Sequence, residues 1–250
     1  MKRLFLTILI LAAFTGTAVA DNDIDFGGNV DLINQNFGDI VREAGIITAY
    51  RGIAPAEPLG ILGFDIGVES SFVDIETSTW EPVIDAGTSD PPSVLPIPRI
   101  HVRKGLPFNV DVGASYASVP DSNIEILGGE VQWALLEGTM ATPALSMRGH
   151  YSTLEGVDDL DVETYGVDAL VSKGFTMLTP YAGVGILEID GKYTGDELDF
   201  LSGSFKLEDQ SKTETRYFGG MQISLAMLAL TVEAEYSDIP VYSAKLSFNW

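Results

Sequence analysis

Acidic and basic side chains recur in this sequence at even spacing. Arg99, His101 and Arg103 stand two residues apart, as do Arg148 with His150 and Glu233 with Glu235, and Asp65 stands four before Glu69. Successive side chains of a strand point to opposite faces, so on extended chain each set shares one face. Ionised groups gathered that way can pair with one another, line a polar conduit that selects solutes by charge, or include a histidine acting as general base. His150 has Asp158, Asp159 and Asp161 near it in sequence and is the candidate base, close to an outer rim; His101 lies between two arginines. No G-x-S-x-G motif and no metal-binding histidine spacing accompanies them. A histidine bonded to a carboxylate is therefore the expectation. The chain has no cysteine, which removes disulfides, thiolate metal sites and a cysteine nucleophile. No catalytic residue, cofactor or metal site is expected.

The elements that position these charges show the same period of two. Leu62, Phe64, Ile66, Val68 and Phe72 alternate with Gly63, Asp65, Gly67, Glu69 and Ser71. Phe108, Val110, Val112, Ala114 and Tyr116 alternate with Asn109, Asp111, Gly113 and Ser115. Ten such segments can be drawn, about 60–74, 96–104, 108–118, 124–136, 143–154, 162–173, 176–189, 213–225, 228–237 and 241–250. A soluble sandwich shows similar alternation, but three features point to a membrane barrel. The segments approach the roughly 9–11 residues that cross a bilayer at a tilt, whereas soluble strands run to about five or six. Aromatics gather near segment ends, as at Phe72, Phe108, Tyr116, Tyr151, Tyr165, Tyr217, Tyr236, Tyr242 and Trp250, which suits interfacial girdles. Brief connections (Gly105-Leu106-Pro107, Lys173-Gly174, Ala226-Met227) alternate with longer acidic ones (75–95, 155–161, 190–212), as inner turns alternate with outer loops. The expected fold is all-β: a single transmembrane antiparallel up-and-down β-barrel of about ten strands (roughly 8–12), with a short N-terminal amphipathic helix.

In such a barrel the charged face must be enclosed, because an arginine facing the lipid midplane costs about 2–4 kcal/mol. The inward set is Arg99, Arg103, Arg148, Arg216 and Lys245 against Asp65, Glu69, Asp111, Glu130, Asp168, Glu233 and Glu235, with His101 and His150 beside them. That set is nearly balanced. The chain is not: without Lys2 and Arg3, 12 basic residues face 36 acidic ones, a net charge of −24. This excludes nucleic-acid binding through phosphate neutralisation, and a hydrophobic content of 46% argues against disorder. Neighbouring segments carry opposite signs. Arg99 and Arg103 fall between Asp65/Glu69 and Asp111, Arg148 between Glu130 and Asp168, and Lys245 between Glu233/Glu235 and, at closure, Asp65/Glu69. Opposed charges stabilise cross-strand pairing, so an ion-paired network filling a narrow lumen is the leading structural expectation.

The N-terminal part has a different texture. Lys2 and Arg3, an apolar stretch from Leu4 to Phe14 and Ala18-Val19-Ala20 follow the order of a cleaved secretory signal over residues 1–20. Within residues 21–59, Ile33, Phe37, Ile40, Val41 and Ala44 fall at helical spacing with Asp39, Arg42 and Glu43 opposite. Gly45 can stop that helix, Ile46–Tyr50 has the composition for an added strand, and Pro55 and Pro58 mark an irregular passage. The helix is expected to plug the lumen or to cap the periplasmic mouth, with residues 60–250 forming the barrel.

The final strand, Val241-Tyr242-Ser243-Ala244-Lys245-Leu246-Ser247-Phe248-Asn249-Trp250, resembles the C-terminal strand of Gram-negative outer-membrane β-barrel proteins, a porin-like class that ends on an aromatic residue. The resemblance implies export to the outer membrane, contact with its lipid and lipopolysaccharide, and recognition of Tyr242, Leu246, Phe248 and Trp250 by the barrel-assembly machinery. The function expected is a narrow channel or passive transporter for small solutes, acting as a monomer. A structural or surface-interaction barrel with a closed, ion-paired lumen is the alternative, and a membrane-embedded hydrolase the third reading. A hydrophobic-ligand transporter gains favour if the N-terminal helix occludes an apolar pocket. The run Asp158-Asp159-Leu160-Asp161-Val162-Glu163 lacks EF-hand spacing and reads as a hydrated acidic loop, with divalent-cation bridging to lipopolysaccharide phosphates as its alternative.

Overall fold

A computed structural model describes residues 30–80, 93–118, 124–139, 141–157, 160–194, 198–200, 203–205, 207 and 209–250, with side chains omitted at 30–36, 198–200 and 203–205. The expected signal at 1–20 and the residues Asp158 and Asp159 lie outside the described residues.

The alternating segments close into one antiparallel barrel. Its strands are β1 (Phe64–Asp74), β2 (Val94–Leu106), β3 (Val110–Ser118), β4 (Glu125–Glu137), β5 (Ala144–Glu155), β6 (Leu160–Ser172), β7 (Leu178–Tyr193), β10 (Gln210–Leu225), β11 (Leu228–Tyr236) and β12 (Pro240–Asn249). Each pairs with its neighbour in that order, and β12 returns to β1 with Glu69 opposite Lys245 and Phe72 opposite Tyr242. The short strands β8 (Leu198–Phe200) and β9 (Gly203–Phe205) pair with each other within the β7–β10 connection. Brief turns gather at one end, where Trp250 and Phe64 exchange two main-chain hydrogen bonds of 3.0 and 3.1 Å. The longer connections gather at the other, the outer end of such barrels.

The wall has two chemically opposite faces. Along β11, Leu228, Leu230, Val232, Ala234 and Tyr236 are exposed, while Ala229, Thr231, Glu233 and Glu235 are buried. Aromatic pairs mark the outer limit of the apolar belt: Tyr217 opposite Tyr236, Tyr242 opposite Phe72, and Tyr151 opposite Tyr165. Phe64 stacks on Trp250 at 5.3 Å and marks the inner limit.

Several boundaries differ from expectation. β1 starts at Phe64, because Gly60 (φ +77°) and Gly63 form a turn in which Gly63 N–H donates to the Gly60 carbonyl at 2.9 Å. β7 and β10 are both 16 residues long, since their pairing continues outward to Gln210 opposite Gly191. No strand forms at Ile46–Tyr50. Instead helix α1 (Val30–Thr48) passes through Gly45, and the chain then runs from Ala49 to Gly63 without helix or strand. A second helix, α2 (Thr77–Trp80), lies in the first outer connection.

Gly45 is in α1 for close approach and not for termination. A Cβ there would lie 2.2 Å from Ile189 of β7, so only glycine lets the helix touch the wall. The helix ends where the wall takes over its last carbonyls, which a helix leaves unsatisfied. Arg99 donates to the Ile47 carbonyl at 2.9 Å, Ser152 to Thr48 at 2.7 Å, and Arg51 back to Ile46 at 2.8 Å. The two guanidinium groups also complement the negative end of the helix dipole.

Candidate functional site: an occluded lumen

The N-terminal segment fills the barrel from one mouth to the other. Near the outer end, Gly38 lies against Lys212 and Gln210 of β10, and Val41 against Gly191 of β7. Deeper, the Tyr50 ring lies between His101 and His150, and Ala56 receives hydrogen bonds from Ser146 and, at its own N–H, reaches Ser172 at 3.1 Å. At the inner end the Leu59 N–H donates to Asp111 at 3.1 Å. Thr48 to Ala56 are buried without a break.

The outer half of this filled lumen is apolar. Phe37, Ile40, Val41 and Ala44 of α1 pack among inward-facing Val73, Ile97, Ile126, Leu187, Ile189 and Val241 in one buried cluster. These are the expected plug-helix residues, and they contact the wall near its long connections; the Ile33 side chain lies outside the described residues. The periplasmic-cap alternative is corrected accordingly. The helix needs an apolar wall, and the larger cluster of apolar inward positions lies toward the outer ends of the strands, a smaller one of Ala144, Leu170, Tyr181 and Phe218 surrounding Ala56.

Below it lies a charged layer. Arg103 contacts Asp111 (3.3 Å) and Glu130 (2.6 Å), Arg148 contacts Glu130 (3.0 Å) and Asp168 (3.9 Å), and Arg216 contacts Asp168 (3.4 Å) and Glu235 (3.0 Å). Arg99 approaches Glu69 at 3.9 Å. Lys245 pairs with Asp65 at 3.2 Å and not with Glu233 or Glu235, because its direct neighbour on β11 is Thr231. Glu233 instead accepts a hydrogen bond from Tyr181 at 2.7 Å. All the sequence-expected lumen charges, from Asp65 on β1 to Lys245 on β12, are buried.

The histidines sit deeper than their sequence neighbours suggest. His150 lies 3.6 Å from Asp168 and stacks on Tyr50, whereas Asp161 is exposed near the start of β6. The rim placement is thus corrected: the parity and register of β5 carry the ring inward toward the middle of the wall. Lys245 Nζ lies 3.4 Å from His101 Nδ1. The other ring nitrogen, Nε2, shares a hydrogen bond of 2.5 Å with the Tyr50 hydroxyl.

Sequence reasoning missed Arg51, the only base that the segment itself brings to this layer among the described residues. It is buried and bridges Glu235 at 3.2 Å and the Ala49 carbonyl at 3.2 Å. The signal was present as a shortfall, since five wall bases faced seven wall acids. Gly52 was missed too. A Cβ there would lie 2.4 Å from Arg148 and 2.6 Å from Glu130, so this glycine lets backbone pass directly over the ion pair. The assembly-signal residues Tyr242, Leu246, Phe248 and Trp250 all face outward and are exposed.

An apolar belt outside, ionised groups inside and closure through the first and last strands define an outer-membrane β-barrel, here with its lumen occupied by its own chain. The chain belongs to a family of unknown function (DUF6588), whose model matches residues 68–250 and so covers the wall from within β1 onward. A comparison with curated proteins finds no match. Among solved structures, the N-terminal β-barrel domain of Pseudomonas aeruginosa OprF is similar at 10% identity and a TM-score of 0.34, over 76% of this chain and 99% of that one. The Yersinia pestis outer membrane protein Ail in a phospholipid bilayer nanodisc gives 12% and 0.30, over 74% and 99%. Neisserial surface protein A gives 10% and 0.29, over 74% and 94%. The likeness concerns the barrel alone.

Proposed function

We propose that this barrel works closed, as a structural or surface-interaction protein of the outer membrane whose lumen is no resting pathway for solutes. The observation that carries this reading is the unbroken burial of Thr48–Ala56, with the Arg51–Glu235 pair at about 1% side-chain exposure or less on both partners. Removing one partner of a buried ion pair costs about 3–5 kcal/mol, so the segment is held far more firmly than a freely moving gate. Refolded protein in planar lipid bilayers should give no regular unit conductance. Stable single-channel steps from the intact chain would overturn the proposal.

A narrow channel or passive transporter is the second reading, and the apolar outer layer favours its hydrophobic-ligand form. Withdrawal of α1 would open a pocket lined by Ile97, Ile126, Leu187 and Ile189. Because the chain has no cysteine, Val41→Cys with Gly191→Cys can tether α1 to β7, where a Cβ at 191 would lie 3.1 Å from that of Val41. Uptake that vanishes on oxidation and returns on reduction would favour transport. The contacts of His150 with Asp168 and Tyr50 add no support to a membrane-embedded hydrolase.

A further inference from the structure

We propose that the outward face of β10, β11 and β12 seats the lipid part of one lipopolysaccharide molecule, an acyl chain lying in a hollow of the wall and head-group oxygens resting on three tyrosine hydroxyls. The inference goes beyond the closed-barrel reading and does not depend on it. It needs only a membrane barrel whose long connections lie outside.

The register builds the hollow. Tyr217 stands opposite Tyr236 and Gly219 opposite Ala234, while Tyr236 and Ala234 stand opposite Pro240 and Tyr242 on the other side. The three strands thus present Tyr217, Tyr236 and Pro240 in an outer row, with Gly219, Ala234 and Tyr242 beneath. Directly opposed residues have Cβ atoms about 4.5–5.5 Å apart, so these side chains surround one hollow of about 310 Å³. Its floor is Gly219 and Ala234, and its walls are tyrosine rings. The protein has no use for this space. Gly183 makes room for the Phe218 ring, but a Cβ at Gly219 would meet only the Tyr181 carbonyl, at an ordinary 3.7 Å.

The hydroxyls divide the circumference. Tyr116 donates to Glu125 at 2.9 Å, Tyr165 to Asp190 at 3.1 Å, and Tyr151 to Glu163. On the arc from β3 to β7 the donors therefore serve the chain's own carboxylates, and that arc repels an anionic head group. Tyr217, Tyr236 and Tyr242 are exposed, and among the described residues their hydroxyls have no protein partner. The acids near them are fewer: Asp238 is paired with Arg42 at 2.8 Å, and Asp74 stands at the edge of the arc beyond Phe72. A phenol donates to a carbonyl or phosphate oxygen while its ring lies against hydrocarbon, the mixed contact that tyrosines make at membrane interfaces. These tyrosines mark the outer limit of the apolar belt, which selects the outer leaflet and its acylated, phosphorylated glycolipid over the phospholipid of the inner one.

The test uses the refolded full chain in detergent, titrated with purified lipid A or with phosphatidylethanolamine and followed by native mass spectrometry. Gly219→Leu fills the hollow from a position with room for a side chain, and Tyr217→Phe with Tyr236→Phe removes two hydroxyls and no hydrocarbon. Ala114→Leu adds the same bulk to the exposed face of β3. The wild type should retain one lipid A, as should Ala114→Leu; Gly219→Leu should lose it, and the tyrosine pair should bind it more weakly by about fivefold for each hydroxyl removed. Equal retention by Gly219→Leu and wild type overturns the inference, as does phosphatidylethanolamine held as firmly as lipid A. A wild-type dimer that Gly219→Leu converts to monomer assigns the face to a second copy and overturns it too. Should Gly219→Leu fail to show the heat-modifiable shift of a folded barrel, the tyrosine pair decides, and unchanged binding there sinks the proposal.

Discussion

The two halves of the lumen meet the same polypeptide in opposite ways. Outside, α1 lies on Val73, Ile97, Leu187 and Ile189; inside, residues 49–59 lie chiefly on arginines, serines and carboxylates, with Ala56 alone in a small apolar cluster of Ala144, Leu170, Tyr181 and Phe218. The difference follows from the backbone. A helix satisfies its own N–H and C=O groups along its length, so its sides can rest on an apolar wall. An extended chain satisfies none of them, and each buried unpaired group costs about 1–3 kcal/mol. Where the segment changes from helix to extended chain, at Thr48, the wall changes from aliphatic to donor-rich. The ionic layer is thus more than wall-to-wall bracing: the same guanidinium groups that pair across strands supply donors to the threaded carbonyls.

The largest effect expected from this contrast is in the inner layer. Arg148→Ala leaves Glu130 and Asp168 short of a cation and strips the Ala54 carbonyl of its donor. Loss of a buried partner costs about 3–5 kcal/mol, which should lower the temperature of the heat-modifiable shift in gel migration and the urea midpoint in detergent. Unchanged stability with a new conductance would break the comparison, because the layer would then be a lining and not a brace.

In the outer layer the control is steric. Gly45→Ala pushes a methyl group against Ile189, 2.2 Å away, and overpacking of this kind costs about 1–3 kcal/mol. Ile189→Ala alone leaves a cavity beside the helix. The double substitution should be more stable than the sum of the two losses, as neighbours that share a space do not add. Strict additivity in a denaturation series would show that α1 does not rest on the wall at this point.

Much of this arrangement was legible in the sequence, for local reasons. A period of two in ten segments fixes the wall and its inward charges, because a slip of one residue would turn every ionised group toward lipid. Phe37, Ile40, Val41 and Ala44 announce an amphipathic helix by spacing alone. The level of that helix was not legible, since it depends on Gly45 meeting Ile189 and Val41 meeting Gly191, contacts between residues about 150 positions apart. Gly45 has two meanings in a sequence, because the same residue serves termination and close approach. Tyr50, Arg51 and Gly52 belong to no periodic element, so only the unbalanced lumen charge hinted at the arginine. The apolar inward residues Val73, Ile97 and Ile126 escaped notice because they interrupt alternation only at strand ends.

The smallest expected effect concerns Glu43, a carboxylate buried against the helical layer. Glu43 is 1% exposed and accepts a hydrogen bond from the Trp80 indole at 2.7 Å. Burial raises its pKa, and the hydrogen bonds from Trp80 and Thr79 only partly offset that, so the folded value stays above the usual 4.5. A raised value means that the folded state binds the proton more tightly than the unfolded state does. This contribution to stability is fully present below pH 4.5 and is lost as pH rises through the folded pKa. Thermal unfolding in detergent should therefore show wild-type protein losing more stability between pH 4 and pH 7 than Glu43→Gln, whose amide does not titrate. Trp80→Phe should deepen the wild-type loss at neutral pH by removing the donor that favours the ionised form. If Glu43→Gln instead leaves the pH dependence intact and destabilises the protein at pH 7, the ionised carboxylate is welcome beside α1. The contrast between an aliphatic outer layer and a charged inner one would then be too sharply drawn.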